Sequence, residues 1–216
     1  MKKLILFIFL ITSTLSAQTN YYISNAGDDS SNGTSTSTSW KPLQHLKNKT
    51  MDGTVQPGDS ILFKRGDAWY PTTTNNVYGS KSNWYGVIQF PDDFHGSSSA
   101  WTVLGAYGSG NKPIINTLGF PGYHQAFRTN AISYFIMQDI SFVSERSIRF
   151  NPQQDKPPPW SEGVHHIKVL RCDFDLGFEV GKTKGGNFTI YNPYTPQNPQ
   201  PNVTAPQHHI EIGYCT

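Results

Sequence analysis

Four short runs of the chain alternate apolar with polar or small residues, and the runs are copies of one another. His165-His166-Ile167-Lys168-Val169-Leu170-Arg171-Cys172 returns as His208-His209-Ile210-Glu211-Ile212-Gly213-Tyr214-Cys215 at an offset of 43 residues. Ser133-Tyr134-Phe135-Ile136-Met137-Gln138-Asp139-Ile140 lies 32 residues before the first of these. Ala100-Trp101-Thr102-Val103-Leu104-Gly105-Ala106-Tyr107 lies a further 33 residues earlier. Alternation at period two, over short runs flanked by turn residues, predicts strands. Their return every few tens of residues predicts coils stacked along one core.

The alternation also assigns faces. Ile167, Val169, Cys172 and Phe174 are expected inside, with Ile210, Ile212 and Cys215 above them and Phe135, Met137, Ile140 and Phe142 below. Lys168, Leu170, Asp173, Glu211 and Gly213 are then expected outside. A slip of one residue would reverse all these assignments together. Both Cys occupy one position of the repeat, and stacked strands lie about 4.8 Å apart. Two buried apolar thiols are the expectation; the geometry also permits a disulfide.

Ahead of the repeats, Tyr21-Tyr22-Ile23-Ser24 reads as a strand and residues 25–39 as a polar, Gly-containing loop. Residues 40–47 read as a helix with Trp40, Leu43 and Leu46 on one face, followed by the turn Pro57-Gly58-Asp59 and a strand at Ile61-Leu62-Phe63. That helix is expected to cover the open end of the stack, where strand edges would otherwise lie unpaired. Residues 151–163 and 176–207 read as loops carried on the coils. Cys215-Thr216 fall inside a repeat, so the reading expects the stack to be truncated there, with further coils beyond.

Residues 1–17 carry Lys2 and Lys3, an apolar core from Leu4 to Ile11, and the small-residue site Leu15-Ser16-Ala17. This is the pattern of a secretory signal. The core is too short to span a bilayer, which takes about 20 apolar residues. One domain, residues 18–216, is expected in a secreted, periplasmic or cell-surface setting. Without Lys2 and Lys3 the formal charge falls from +2 to 0, which argues against nucleic acid or an anionic membrane as partner. Aromatic residues make up 13% and charged residues 15% of the chain, a balance that suits sugar stacking and simple packing alike.

Several phrases carry a family resemblance. They are Tyr21-Tyr22-Ile23-Ser24, Gly27-Asp28-Asp29-Ser30-Ser31-Asn32-Gly33-Thr34, Trp40-Lys41-Pro42-Leu43, Pro57-Gly58-Asp59 and Lys64-Arg65-Gly66. Ala106-Tyr107-Gly108-Ser109-Gly110-Asn111-Lys112-Pro113-Ile114-Ile115 adds to them. Together they resemble the opening coils of secreted proteins of the pectate-lyase-like superfamily, over most of residues 21–216. The resemblance implies an all-β fold, a right-handed parallel β-helix (solenoid) with a short N-terminal capping helix. It also implies a polysaccharide partner and, often, cleavage of uronic-acid polymers by β-elimination. That chemistry neutralises the sugar carboxylate, commonly with Ca2+ on Asp and Glu oxygens. A Lys or Arg can take the neighbouring proton if its surroundings favour the neutral form.

On the outer faces of adjacent coils, Lys168 and Arg171 are the catalytic candidates, and Asp173, Asp175 and Glu211 the calcium candidates. The same side chains would also make an ordinary exposed Lys168–Glu211 cross-strand pair and a solvated strand face. Trp160, Tyr191 and Tyr194, with Trp84 and Tyr85, lie in or near loops and either stack on sugars or pin their own loops. His165, His166, His208 and His209 would form two ladders, which suits turn packing better than a zinc site. The sequence carries no G-x-S-x-G nucleophile motif and no phosphate-binding or dinucleotide loop. Two classes of function stay open: a carbohydrate-active enzyme, lyase before glycoside hydrolase, and a non-catalytic glycan-binding or adhesin-like protein.

Overall fold

The computed structural model describes residues 18–41, 43–70, 86–92, 94–118, 125–144, 148–151, 164–175, 188–190 and 209–216. They form parallel β-sheets with little helix. The first sheet has the order β1 (Asn20–Ile23), β2 (Ser60–Lys64), β6 (Thr102–Tyr107), β9 (Ile132–Gln138), β12 (His165–Leu170), β15 (Ile210–Gly213), with β5 (Phe94–His95) beside β9. The second runs β3 (Ala68–Trp69), β7 (Ile114–Asn116), β10 (Ser141–Val143), β13 (Asp173–Asp175). The third runs β4 (Gly86–Gln89), β8 (Gln125–Asn130), β11 (Ile148–Asn151), β14 (Phe188–Ile190). From β6 onward the chain visits the three sheets in strict rotation and returns to the first at β15. A parallel neighbour cannot be reached by a tight hairpin, so the chain passes through the other two sheets first.

The register is the one the repeats predict. Ile167 pairs with Phe135 on one side and Ile210 on the other, and Val169 with Met137 and Ile212. Ile167, Val169, Cys172, Phe135, Met137, Ile140 and Phe142 are fully buried. Ile212 departs from expectation: it is 55% exposed, because no described strand lies over β15. Phe90, Phe127, Phe135 and Phe150 meet as a cluster of rings inside the sheets, and Phe174 stacks on Phe142 at 5.8 Å.

The coils of β9, β12 and β15 each bend at two left-handed residues. Tyr134, His166 and His209 hold φ of 50, 51 and 56°, and Asp139, Arg171 and Tyr214 hold 59, 52 and 56°. Such a conformation costs a non-glycine residue roughly 1–2 kcal/mol. Hydrogen bonds from coil to coil help to offset it, with Asp139 N–H donating to Leu170 O at 3.1 Å and Arg171 N–H to Gly213 O at 2.9 Å.

The helix starts later than the sequence suggests. α1 spans Leu43–Met51, while Trp40 is extended and bridges Ile23, its N–H donating to Tyr22 O and its carbonyl accepting from Ser24. Leu43, Leu46 and Trp40 are nonetheless all buried. The Trp40 indole stacks on Tyr21 at 4.9 Å and fills the space where Gly33, at φ 75°, has no side chain. α1 lies against β4, with Thr50 Oγ1 donating to Gln89 O at 3.0 Å and Lys47 Nζ to Gly86 O at 3.4 Å. Among the described residues no helix is long and apolar enough to cross a membrane.

Phe135 touches Phe90, Phe127 and Phe150, so Phe135→Ala is expected to lower unfolding free energy by about 3–5 kcal/mol, measured by urea titration. Burial depresses the Lys47 pKa from 10.5 to about 8. Between those values the unfolded chain binds more protons than the folded one, so stability contributed by this group rises with pH across that window. The urea midpoint of the wild type should therefore rise between pH 8 and pH 10 relative to that of Lys47→Met.

Candidate functional site

The register that buries alternate side chains on the first sheet aligns the others in columns on its outer face. Val103, Ile136, Lys168 and Glu211 occupy one column, with Lys168 in register with Ile136 and Glu211. Val103 and Ile136 are half-buried and form an apolar floor. Lys168 Nζ lies 3.0 Å from Glu211 Oε2 and 5.6 Å from the centroid of the Trp101 ring. It thus bridges a carboxylate on β15 and an aromatic ring at the start of β6.

Beside this column stands an aromatic stack. Tyr134 and His166 are parallel at 4.4 Å, as are His166 and His209. The Trp101 ring is perpendicular to Tyr134 at 5.4 Å and steeply inclined to His166 at 6.2 Å. Comparable distances to two rings stacked on each other place the indole alongside the stack, not at its end. Tyr134, His166 and His209 spend ring faces on one another, whereas Trp101 lies outside the stack.

At the far bend, Asp139 accepts from Arg171 Nε at 3.0 Å and Nη2 at 2.7 Å, while Arg65 Nη2 lies 3.3 Å away. Arg171 Nη2 also donates to Gln138 Oε1 at 3.3 Å. Hydrogen bonds from Arg171 hold the Asp139 carboxyl below the usual carboxylate range, and Asp139 in turn raises the pKa of Arg171. The bidentate contact therefore favours the charged guanidinium, which suits anion binding and not proton abstraction.

The structure joins some of the residues picked from sequence and separates others. Lys168 and Glu211 meet, and Arg171 flanks them at the bend. Asp173 and Asp175 lie on β13, in the second sheet, whereas Glu211 lies on β15, in the first. Asp173 Oδ1 is already engaged by Lys112 Nζ at 2.6 Å and Thr216 Oγ1 at 2.7 Å. Among the described residues no group of three His, Cys, Asp or Glu is placed to hold a metal ion. The bend between the sheets is what separates Asp173 and Asp175 from Glu211.

His166 and His209 stack face to face, and His165 Nδ1 contacts His166 Nδ1 at 2.7 Å. One of the two expected histidine ladders is thus seen, in His166 and His209, whereas His165 meets its chain neighbour His166 at a steep angle. Trp84, Tyr85, Trp160, Tyr191, Tyr194 and His208 lie outside the described residues. Cys172 and Cys215 carry free thiols, and burial pushes the Cys172 thiol up to about 12.

Sequence reasoning passed over Trp101, Arg65 and Asp139. Signals for two of them were present. Trp101 occupies the repeat position of Tyr134, His166 and His209, and Asp139 that of Arg171, an opposite charge one coil away. Arg65 has no such signal, because only the fold brings it to Asp139.

No family model matches this chain. It is 30% identical over 147 residues to lacto-N-biosidase of Bifidobacterium longum subsp. longum, a match covering 61% of this chain and 8% of that protein. Among solved structures it is similar to the GH136 lacto-N-biosidase of Eubacterium ramulus (TM-score 0.51, 13% identity, 91% of this chain and 40% of that one). It is also similar to a rhamnogalacturonan lyase (TM-score 0.54, 14% identity, 91% of this chain and 51% of that one). At these identities the structural likeness shows the fold, and the neighbours are β-helix-type proteins. The chain spans a small part of the curated relative and half or less of the lacto-N-biosidase structure.

Replacing Asp139 by Asn keeps a side chain tolerant of its left-handed backbone but leaves two guanidinia without their shared anion. A carboxyl with a depressed folded pKa contributes stability above its unfolded pKa and loses it as pH falls through the folded one. Asp139→Asn should therefore unfold more easily than wild type at pH 7, by about 1–3 kcal/mol. The gap should close on acidification below about pH 4, as read by thermal melts across pH.

Proposed function

We propose that this protein is exported and acts on an acidic polysaccharide held along the outer face of the first sheet, by β-elimination at a uronic-acid residue. The observation that carries this reading is the charge of that face and its bend. Lys64, Arg65, Lys168 and Arg171 stand there against Asp139 and Glu211. In a chain whose charge otherwise balances, a local excess of cations selects an anionic partner. In β-elimination a base removes the proton beside the carboxylate, a carbon–carbon double bond forms, and the glycosidic oxygen departs. Lys168 and Arg171 would stabilise the negative charge that gathers on the carboxylate during that step. Both already meet carboxylates in this structure, which supports that role over the role of base.

A glycoside hydrolase is the second reading, favoured by the 30% match to a lacto-N-biosidase. Such a reaction needs a pair of carboxyl groups flanking the scissile bond. Asp139 and Glu211 are the carboxylates described on this face, and both are engaged by cations. Incubation with a panel of uronic-acid polymers and neutral oligosaccharides, with calcium or with chelator, separates the readings. The lyase reading expects the ultraviolet absorbance of a new conjugated double bond, lost in the Lys168→Ala/Arg171→Ala double variant. New reducing ends without that absorbance would replace it by hydrolysis, and saturable binding without product by a binding protein.

A further inference from the structure

We infer that Trp101 and Lys168 form a subsite for one uronosyl residue, and that Glu211 occupies the place of that sugar's carboxylate when no glycan is bound. The inference rests on the reading that an acidic glycan lies on this face, and it adds a stacking residue and an internal competitor. Trp101 is the described aromatic side chain that lies beside the ring stack and next to the cation column. Its neighbour Lys168 Nζ stands 5.6 Å from its ring centroid and 3.0 Å from Glu211 Oε2. A cation over an aromatic ring and beside a carboxylate is the arrangement an acidic sugar reproduces. The C–H groups of the pyranose take the indole face, and its carboxylate takes the ammonium.

The two contacts Lys168 makes are both exchangeable. A half-exposed ion pair contributes about 0–1 kcal/mol, and a cation–π contact near the surface about as little. An entering uronosyl ring replaces the Glu211 carboxylate on the ammonium with its own and covers the indole face with its C–H groups, so only the weak cation–π contact is given up. The half-buried side chains of Val103 and Ile136 give the sugar an apolar floor beside Trp101. Glu211 stands on β15, in register with Lys168 and 57% exposed, so it can swing aside without disturbing the core.

The test is a calorimetric titration of the whole chain with a hexagalacturonate and with the same oligomer as its methyl ester, at low salt. The wild type is expected to prefer the acid form. Trp101→Ala should weaken binding of the acid oligomer about tenfold, and Glu211→Gln should tighten it about two- to fivefold by removing the competitor. Lys168→Met should abolish the preference for acid over ester. Glu211 is a surface residue, so its variant reads the proposal even if Trp101→Ala perturbs folding. Wild-type binding that neither Trp101→Ala nor Glu211→Gln alters would overturn this subsite and leave the broader reading standing. Absence of wild-type binding to either oligomer at millimolar concentration would overturn both.

Discussion

Everything described in this molecule depends on one constraint, the in-register parallel pairing of successive coils in the first sheet. Parallel strands satisfy each other's backbone groups only if equivalent residues of each coil lie side by side. Once Ile167 is aligned with Phe135 and Ile210, the other residues of β9, β12 and β15 are aligned too. The same pairing fills the interior with Phe, Ile, Val and Met and sets every outward side chain in a column. Core and surface are two consequences of one register.

The bends are the second half of that bargain. Three residues at equivalent places, Tyr134, His166 and His209, accept a left-handed backbone, and so do Asp139, Arg171 and Tyr214. The unfavourable conformation recurs because stacking repeats it, and stacking also provides compensation. The first set of side chains becomes a column of rings. The second opens with an anion beside a cation. His166 and His209, 43 residues apart in the chain, become stacked rings at this position.

Columns also explain how a site arises on so regular a scaffold. A strand residue on the outer face meets neighbours from coils above and below, which lie tens of residues away in the chain. Lys168 thereby meets Glu211 and Trp101, while Arg171 and Arg65 converge on Asp139. The cations on this face come from β2, β12 and the turns that follow them. None of the contacts requires a pocket; they need only a flat sheet with matched rungs.

The repeat phrases alone determined the strands of the later coils, their inward and outward faces, and the neighbour relation of Lys168 and Glu211. Period-two alternation and a fixed offset leave few other ways to bury those apolar residues. The sequence could not show where the sheets turn, and that is what tertiary structure decided. The bend at Arg171 and Cys172 sends Asp173 and Asp175 to a different sheet from Glu211, although the repeats set all three on outer faces of adjacent coils. The backbone of Trp40 is drawn into a bridge with Ile23, which delays the helix that the sequence predicts from this residue. Ile212, apolar and in phase, is exposed among the described residues because burial depends on a covering strand and not on the residue itself. Arg65 joins the Asp139–Arg171 pair because stacking brings the turn after β2 to those after β9 and β12, a proximity that no repeat phrase encodes.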